Sequence, residues 1–327
     1  MDPAHPQRPR ISVVMPVYNG MRYLAASLES IACQSRPVHE VIVIDDGSTD
    51  GTREIIKNWE SRLPLVAVFQ PHRGNWVANT NVAIAKVTGT HFSMLHQDDL
   101  WDPRRVEVLL EVIATHPGAD VVIHPTRFIG PDGRWAGTWN CPFSGKGRPL
   151  DRQEVLSHLL VQNFLAVPAP LIARRALDST AVLDEKLWFT ADWKFWLGLA
   201  LRGNWVFEPR PLASFRVHGS SLTMRGGRTA ADYEQQLRAV IDEFSGFSGS
   251  TCARAVIDFN LHVNTAMFAA LRTGKLNVGR LVLDFIRLGP AGWCLFFRAS
   301  RIHERIMARV VARTGTSVAL PRARPGR

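Results

Sequence analysis

The sequence predicts an α/β protein, a mostly parallel sheet flanked by helices and followed by a helical extension. Three observations predict it. Short apolar, largely β-branched runs recur, as in Ile11-Ser-Val-Val-Met15, Val41-Ile-Val-Ile44 and Leu65 to Phe69. Segments with apolar residues at helical spacing separate them, which is what the crossovers between parallel strands require. Beyond Ser221 the alternation gives way to long helical patterns.

Taken in order, the first strand runs from Ile11 to Met15 and is stopped by Pro16, with Asn19-Gly20 supplying turn chemistry. Leu24, Leu28 and Ile31 mark a helix, and Val41 to Ile44 a second strand ending in Asp45-Asp46-Gly47-Ser48. Asp50 or Thr52 caps the next helix, whose apolar stripe is Ile55, Ile56 and Trp59. Leu65 to Phe69 is the third strand, Val77 to Val87 a helix, and His91 to Leu95 a fourth strand leading into His96-Gln97-Asp98-Asp99. Asp102 as N-cap and Pro103 at the first helical position open a helix faced by Val106, Leu109, Leu110 and Ile113. Val121 to His124 is the fifth strand. From Phe128 the pattern turns to hairpin and loop signals, with a turn at Asp132-Gly133 and flexible chain at Gly145-Lys146-Gly147. A helix over Asp192 to Arg202, strands at Trp205 to Phe207 and Ser214 to Val217, and helices over Tyr233 to Phe244 and Ala255 to Leu271 complete the reading.

With 327 residues, 46% of them apolar, the chain has enough material for one large domain or two. No apolar run approaches the ~18 uncharged residues of a membrane-spanning helix. The Pro- and Arg-rich residues 1–10 read as a disordered N-terminus without the apolar segment of a signal peptide. Cys33, Cys141, Cys252 and Cys294 form no CxxC pair, which fits a reducing, cytoplasmic setting. The formal charge of +10 permits attraction to nucleic acid, anionic lipid or phosphorylated small molecules. Much of the excess lies in the last fifty residues, where Arg280, Arg287, Arg298, Arg301 and further arginines face only Asp284 and Glu304. No nucleic-acid-binding motif accompanies them.

In an open parallel sheet, ligands bind beyond the carboxyl ends of the strands. Two acidic clusters sit there, Asp45-Asp46 and Asp98-Asp99. Carboxylates at strand ends also serve as turn and cap residues. Adjacent Asp98 and Asp99, however, repel unless a cation or donors compensate, and a carboxylate with a diphosphate makes a Mg²⁺ or Mn²⁺ site. A Gly-rich phosphate loop or GxGxxG after the first strand would indicate a nucleotide-sugar pyrophosphorylase or an NAD-dependent oxidoreductase; Pro16-Val-Tyr-Asn-Gly20 is neither.

The ordered set Ile11-Ser-Val-Val-Met-Pro-Val-Tyr-Asn19, Val43-Ile-Asp-Asp-Gly-Ser-Thr-Asp-Gly-Thr52 and His96-Gln-Asp-Asp-Leu-Trp101 resembles the family 2 glycosyltransferases, inverting enzymes of the GT-A fold. The resemblance covers Arg10 to Thr223, implying a catalytic domain over 11–223 and a helical, basic region over 224–327. It implies a nucleotide-sugar donor, with Pro16, Val17, Tyr18 and Asn19 at the base pocket and Asp45 and Asp46 on base and ribose. It implies Asp98 as metal ligand with Asp99 beside it; His96 stands where the family usually has the first Asp of its metal motif. His218, in Arg216-Val-His218-Gly-Ser-Ser221, completes the metal site, touches the diphosphate or is structural. Arg73, in a loop that departs from the family pattern, pairs with phosphate or is solvated. Phe189-Thr-Ala-Asp192-Trp-Lys-Phe-Trp196 resembles the segment carrying the catalytic base, which makes Asp192 the base; otherwise Asp192 is a helix-terminal acid favoured by the dipole.

The implied acceptor is a saccharide or lipid-linked hydroxyl, chosen by the loops between Phe128 and Pro168, where Trp135, Trp139 and Phe143 suggest stacking on a ring. Trp193 and Trp196 share a helical stripe with Leu197 and Ala200, so at least one belongs to the core. The basic, aromatic-containing tail either packs on the catalytic domain or lies on an anionic membrane, making the enzyme peripheral on the inner face of the cell membrane. A degenerate, non-catalytic nucleotide-sugar-binding protein or scaffold is the alternative, because His96 and Ala191 replace usual acids.

Overall fold

The computed structural model describes residues 8–145, 147–177, 182–219, 229–247, 249–273, 278–304 and 306. Its elements in order are β1 (Ile11–Val17), α1 (Leu24–Ala32), β2 (Glu40–Asp45), α2 (Thr52–Trp59), β3 (Leu65–Phe69), α3 (Trp76–Ala85), β4 (His91–Met94) and β5 (Leu100–Trp101). Then come α4 (Arg105–Thr115), β6 (Val121–Ile123), β7 (Thr126–Ile129), β8 (Trp135–Trp139), β9 (Arg148–Leu150), α5 (Arg152–Val161), β10 (Leu171–Ala173) and α6 (Ala191–Ala200). The chain continues through β11 (Trp205–Phe207), β12 (Ala213–Arg216), α7 (Ala230–Glu243), α8 (Thr251–Thr273) and α9 (Gly279–Ser300).

The main sheet has eight strands in the order β3-β2-β1-β4-β10-β6-β11-β9. The first four are mutually parallel, as are β6 and β11, while β10 and β9 run antiparallel to their neighbours. Both faces of β1, β2 and β4 are covered, which is why these strands read as continuous apolar runs, while the edge strand β3 leaves Val66 and Phe69 exposed. Val13, Met15, Val41 and Val43 pack on one side with Leu28 of α1, Ile56 of α2 and Leu109 of α4. Val14, Ile42 and Ile44 point the other way, into a core shared with α3, α5, α6 and the C-terminal helices through Val240, Phe259 and Phe296. Trp193 and Trp196 are both buried in that second core, so neither is a sugar platform.

Pro16 does not end β1, which continues through Pro16↔Ile44 and Val17↔Asp45 against β2. On the other side pairing has already stopped at Val14↔Met94, so the missing N–H breaks no ladder bond there. The Asp102 cap is displaced too. α4 starts at Arg105, and Asp102 accepts from the Arg104 amide at 3.1 Å and from Arg127. The reading of 128–168 as hairpin and loop is right for β7–β8 and misses β9 and α5. Phe143 is not a platform; it is buried edge-on against Phe164 and Phe207, and Trp139 stacks on Phe128. Lys146 and the residues Ser221 to Thr223 lie outside the described residues, as do 1–7 of the N-terminus.

A second, four-stranded sheet, β5-β12-β7-β8, lies beyond the end of β4. Its β5–β12 pairing, Leu100↔Ser214 and Trp101↔Ala213, brings the chain after β12 back beside Asp98 and Asp99.

Candidate active site

Because β1, β2 and β4 are parallel neighbours, their carboxyl ends gather Tyr18-Asn19, Asp45-Asp46 and His96-Asp98-Asp99 on one edge of the sheet. The turns are pinned to one another. Gln97 accepts from the Tyr18 amide at 2.8 Å and donates to the Tyr18 carbonyl at 3.0 Å. Asn19, in the left-handed region at φ 47°, accepts from the Thr49 amide and donates its own amide to Ser48. Pro16 and Val17 are buried strand residues beneath this edge, and Tyr18 is exposed with its ring stacked on His72 at 4.1 Å.

Asp45 and Asp46 are both buried and differently engaged. Asp45 accepts from Arg53 Nε at 2.9 Å and from the Ser48 amide. Asp46 accepts from the amides of Arg73 and Gly74, both at 2.9 Å, and so holds the 71–75 loop against the strand end. Burial pushes its carboxyl up, but those two amides with Asn79 and Gln70 outweigh it and hold it below the ordinary value. Gly47 makes the approach feasible: it sits at φ 70°, and a Cβ there would lie 2.6 Å from the His72 nitrogen. The Arg73 side chain is exposed.

His96, Asp98 and Asp99 lie together at the end of β4. One ligand atom from each of His96, Asp98 and Asp99 lies within 4.8 Å of the others. His218 Nε2 is 2.8 Å from Asp98 Oδ2. Arg216, buried, donates its amide to Asp99 Oδ1 at 2.9 Å and its Nε to the Asp98 carbonyl at 2.8 Å, and lies over the Tyr23 ring. Arg216 thus organises the turn, a role that only the return of β12 reveals.

Two atoms test whether the cluster suits a cation. His96 Nε2 and Asp99 Oδ2 are buried with no hydrogen-bond partner. Burial, reinforced by the charge of Asp98, pushes the Asp99 carboxyl well above its usual range, with Arg216 opposing. Burial also holds His96 below its usual range despite Asp98, leaving a neutral imidazole with a lone pair to give. A hard divalent cation would satisfy both orphaned atoms and offset two adjacent carboxylates, so these residues fit Mn²⁺ or Mg²⁺.

Asp192 is held separately, in the first turn of α6, where it accepts from Asn163 Nδ2 at 3.0 Å. Burial raises its carboxyl to about 6, against the opposing Trp193 amide and Asn163. Trp76 links the two regions: its ring meets His96 edge-on at 5.3 Å, and its Nε1 donates to the Trp188 carbonyl, four residues before Asp192. Neither Asn163 nor Trp76 stands in a motif that marks it for this work. Asn75 does carry a readable signal, since it caps α3 by accepting from the amides of Val77 and Ala78.

Sheet, strand-end site and acidic cluster together define a glycosyltransferase of the GT-A type. Residues 12–166, just under half of the chain, match the model of glycosyl transferase family 2. An uncharacterized glycosyltransferase of Rickettsia typhi is 25% identical over 237 residues, covering 69% of this chain and 70% of that one. Among solved structures, S. aureus TarS 1-349 in complex with UDP-GlcNAc is 18% identical with a TM-score of 0.61, covering 94% of this chain and 91% of that one. The mannosyltransferase PcManGT of Pyrobaculum calidifontis, in complex with GDP-Man and Mn²⁺, is 17% identical with a TM-score of 0.51, covering 96% and 90%. The likeness to both structures concerns the fold.

Proposed function

We propose that the protein transfers a sugar, with inversion, from a nucleoside-diphosphate donor to a hydroxyl of a saccharide or lipid-linked acceptor. The observation that carries this reading is the His96-Asp98-Asp99 cluster with its two orphaned buried atoms at the end of β4. Sugar-nucleotides in the TarS and PcManGT structures support the donor class. Pro16, Val17, Tyr18 and Asn19 bound the base pocket, where Tyr18 offers an exposed ring face. Asp45 and Asp46 take the nucleoside side with the lone pairs their internal bonds leave over, and Arg73 faces the phosphates.

His96, Asp98 and Asp99, with His218 behind Asp98, hold Mn²⁺ or Mg²⁺ in this reading. The ion supplies Lewis-acid compensation for charge on the departing diphosphate. Asp192 acts from the acceptor side. Its carboxylate takes the proton of the attacking hydroxyl while that oxygen bonds to the anomeric carbon and the bond to the diphosphate oxygen breaks. One displacement inverts the configuration and leaves no covalent enzyme intermediate. A carboxyl raised to about 6 suits the task, being ionised at neutral pH yet more basic than a solvated Asp.

Calorimetric titration of UDP and GDP, each with Mn²⁺, Mg²⁺ or a chelator, tests the reading. One nucleotide should bind only with metal, and Asp98→Ala should weaken it by about tenfold or more. Equal binding with chelator and in the variant would overturn the metal-diphosphate assignment.

A further inference from the structure

The basic C-terminal region carries a surface that sugar transfer leaves unused. Residues 224–327 hold 16 Lys+Arg against 7 Asp+Glu, a net +9 of the chain's +10, so the catalytic part is nearly neutral. Within this region α9 presents three faces. Leu281, Phe285 and Leu288 pack against the main core, with Phe285 ring-to-ring on Phe259 of α8. Val282, Leu283 and Ile286 lie on the opposite side, 51%, 58% and 61% exposed. Between these faces stand Arg280 and Arg287, side chains 76% and 77% exposed, their only carboxylate partner among the described residues being Asp284 at 3.7 and 3.6 Å.

The helix then breaks at Gly289, whose φ of 64° and ψ of 178° are not helical. The break is a built feature: Trp293 stacks back on Phe285 at 5.4 Å and donates its Nε1 to the Phe285 carbonyl. Beyond it Phe297 is again 55% exposed.

A folded helix whose inner face is already buried has no need of a second row of branched aliphatic side chains facing water. Apolar rows edged by arginine are the pattern of helices that lie in a lipid headgroup layer, apolar side chains dipping in and guanidinium groups at the phosphates. Among the described residues no helix is long and apolar enough to cross a membrane. We infer that the exposed Val282-Leu283-Ile286 face of α9, with Arg280 and Arg287, is a docking surface for an anionic lipid bilayer. The positive charge of the region argues for this occupant over a second copy of the same chain, whose equally basic face would repel it. The inference is independent of the sugar-transfer chemistry.

Flotation of the full-length protein with vesicles tests it, comparing phosphatidylcholine alone with an equal mixture of phosphatidylcholine and phosphatidylglycerol. The protein should float with the mixed vesicles, and about tenfold less with neutral ones or at high salt. Leu283→Glu with Ile286→Glu should abolish flotation, and Arg280→Gln with Arg287→Gln should weaken it about tenfold. All four positions are more than half exposed, so the variants should keep the wild-type melting temperature, checked by circular dichroism. No flotation of the wild type, or undiminished flotation of the Leu283/Ile286 variant, would overturn the inference. Sedimentation equilibrium showing a wild-type dimer that the Leu283/Ile286 variant dissolves, with no vesicle binding, would overturn it in favour of self-association.

Discussion

Asp192 and Asn163 pose the chemistry at the scale of single residues. Asp192→Asn keeps the shape and the Asn163 neighbour while removing the proposed base, so kcat should fall about 10²–10⁴-fold with KM little changed. With the carboxylate as the proposed active form and burial raising its pKa to about 6, kcat/KM should rise with pH through about 6 and level off above. Asn163 donates to the charged form. Asn163→Ala should therefore move that acidic limb to higher pH, whereas a purely structural role would lower the rate without moving the limb. Asp192 stands in a motif that is readable in the sequence. Asn163 was illegible because its partner lies 29 residues away and meets it only through the packing of α5 on α6. The cluster itself was readable as adjacent carboxylates at a strand end, but the orphaned state of His96 Nε2 and Asp99 Oδ2 belongs to burial and needed the fold.

At the scale of elements, the site depends on β1, β2 and β4 staying in register, and a single carboxylate ties their opposite ends. Glu40 opens β2 and accepts from the Ser12 hydroxyl of β1 at 2.6 Å and from the Thr88 amide before β4 at 2.7 Å, with Gly89 at 3.2 Å. Burial raises its carboxyl, yet these donors outweigh burial and hold it below the ordinary value. Its contribution is thus complete above the unfolded-state pKa of a Glu and lost as pH falls through the lower folded-state value. Glu40→Ala leaves buried donors unpaired and should cost about 2–4 kcal/mol at neutral pH, the difference shrinking in acid; urea melts at two pH values check both. Parallel strands β1, β2 and β4 were legible because they are buried on both faces, whereas β3, the half-exposed edge strand, was legible from its apolar run alone. Strands β5, β9 and β10, two or three residues long, carry no periodicity to read and exist through their partners. α5 was readable: Asp151 caps it, with Glu154 three residues on, and the hairpin signals nearby obscured that start.

For the whole molecule, packing runs across the boundary near residue 223 that the sequence suggests. Val240, Phe259 and Phe296 share one core with Val14 and Ile44 of the sheet. We expect one cooperative unfolding transition, with tryptophan fluorescence and far-ultraviolet circular dichroism giving the same midpoint. Phe259→Ala, which empties a contact with Phe285 and Phe296, should lower stability of the whole by about 3–5 kcal/mol rather than melt the C-terminal helices alone. The charge distribution is legible at this scale because arginine count needs no fold, whereas which apolar side chains of α9 face water needs one. The central claim, that a divalent cation at the end of β4 and a base on α6 act on one nucleotide-sugar, meets its most direct test in turnover. UDP-, GDP- and dTDP-sugars would each be supplied to the full-length protein with Mn²⁺, Mg²⁺ or chelator, alongside Asp98→Ala and Asp192→Asn. The account predicts release of one nucleoside diphosphate, dependent on metal and lost in both variants; turnover that persists under chelation or in either variant would contradict it.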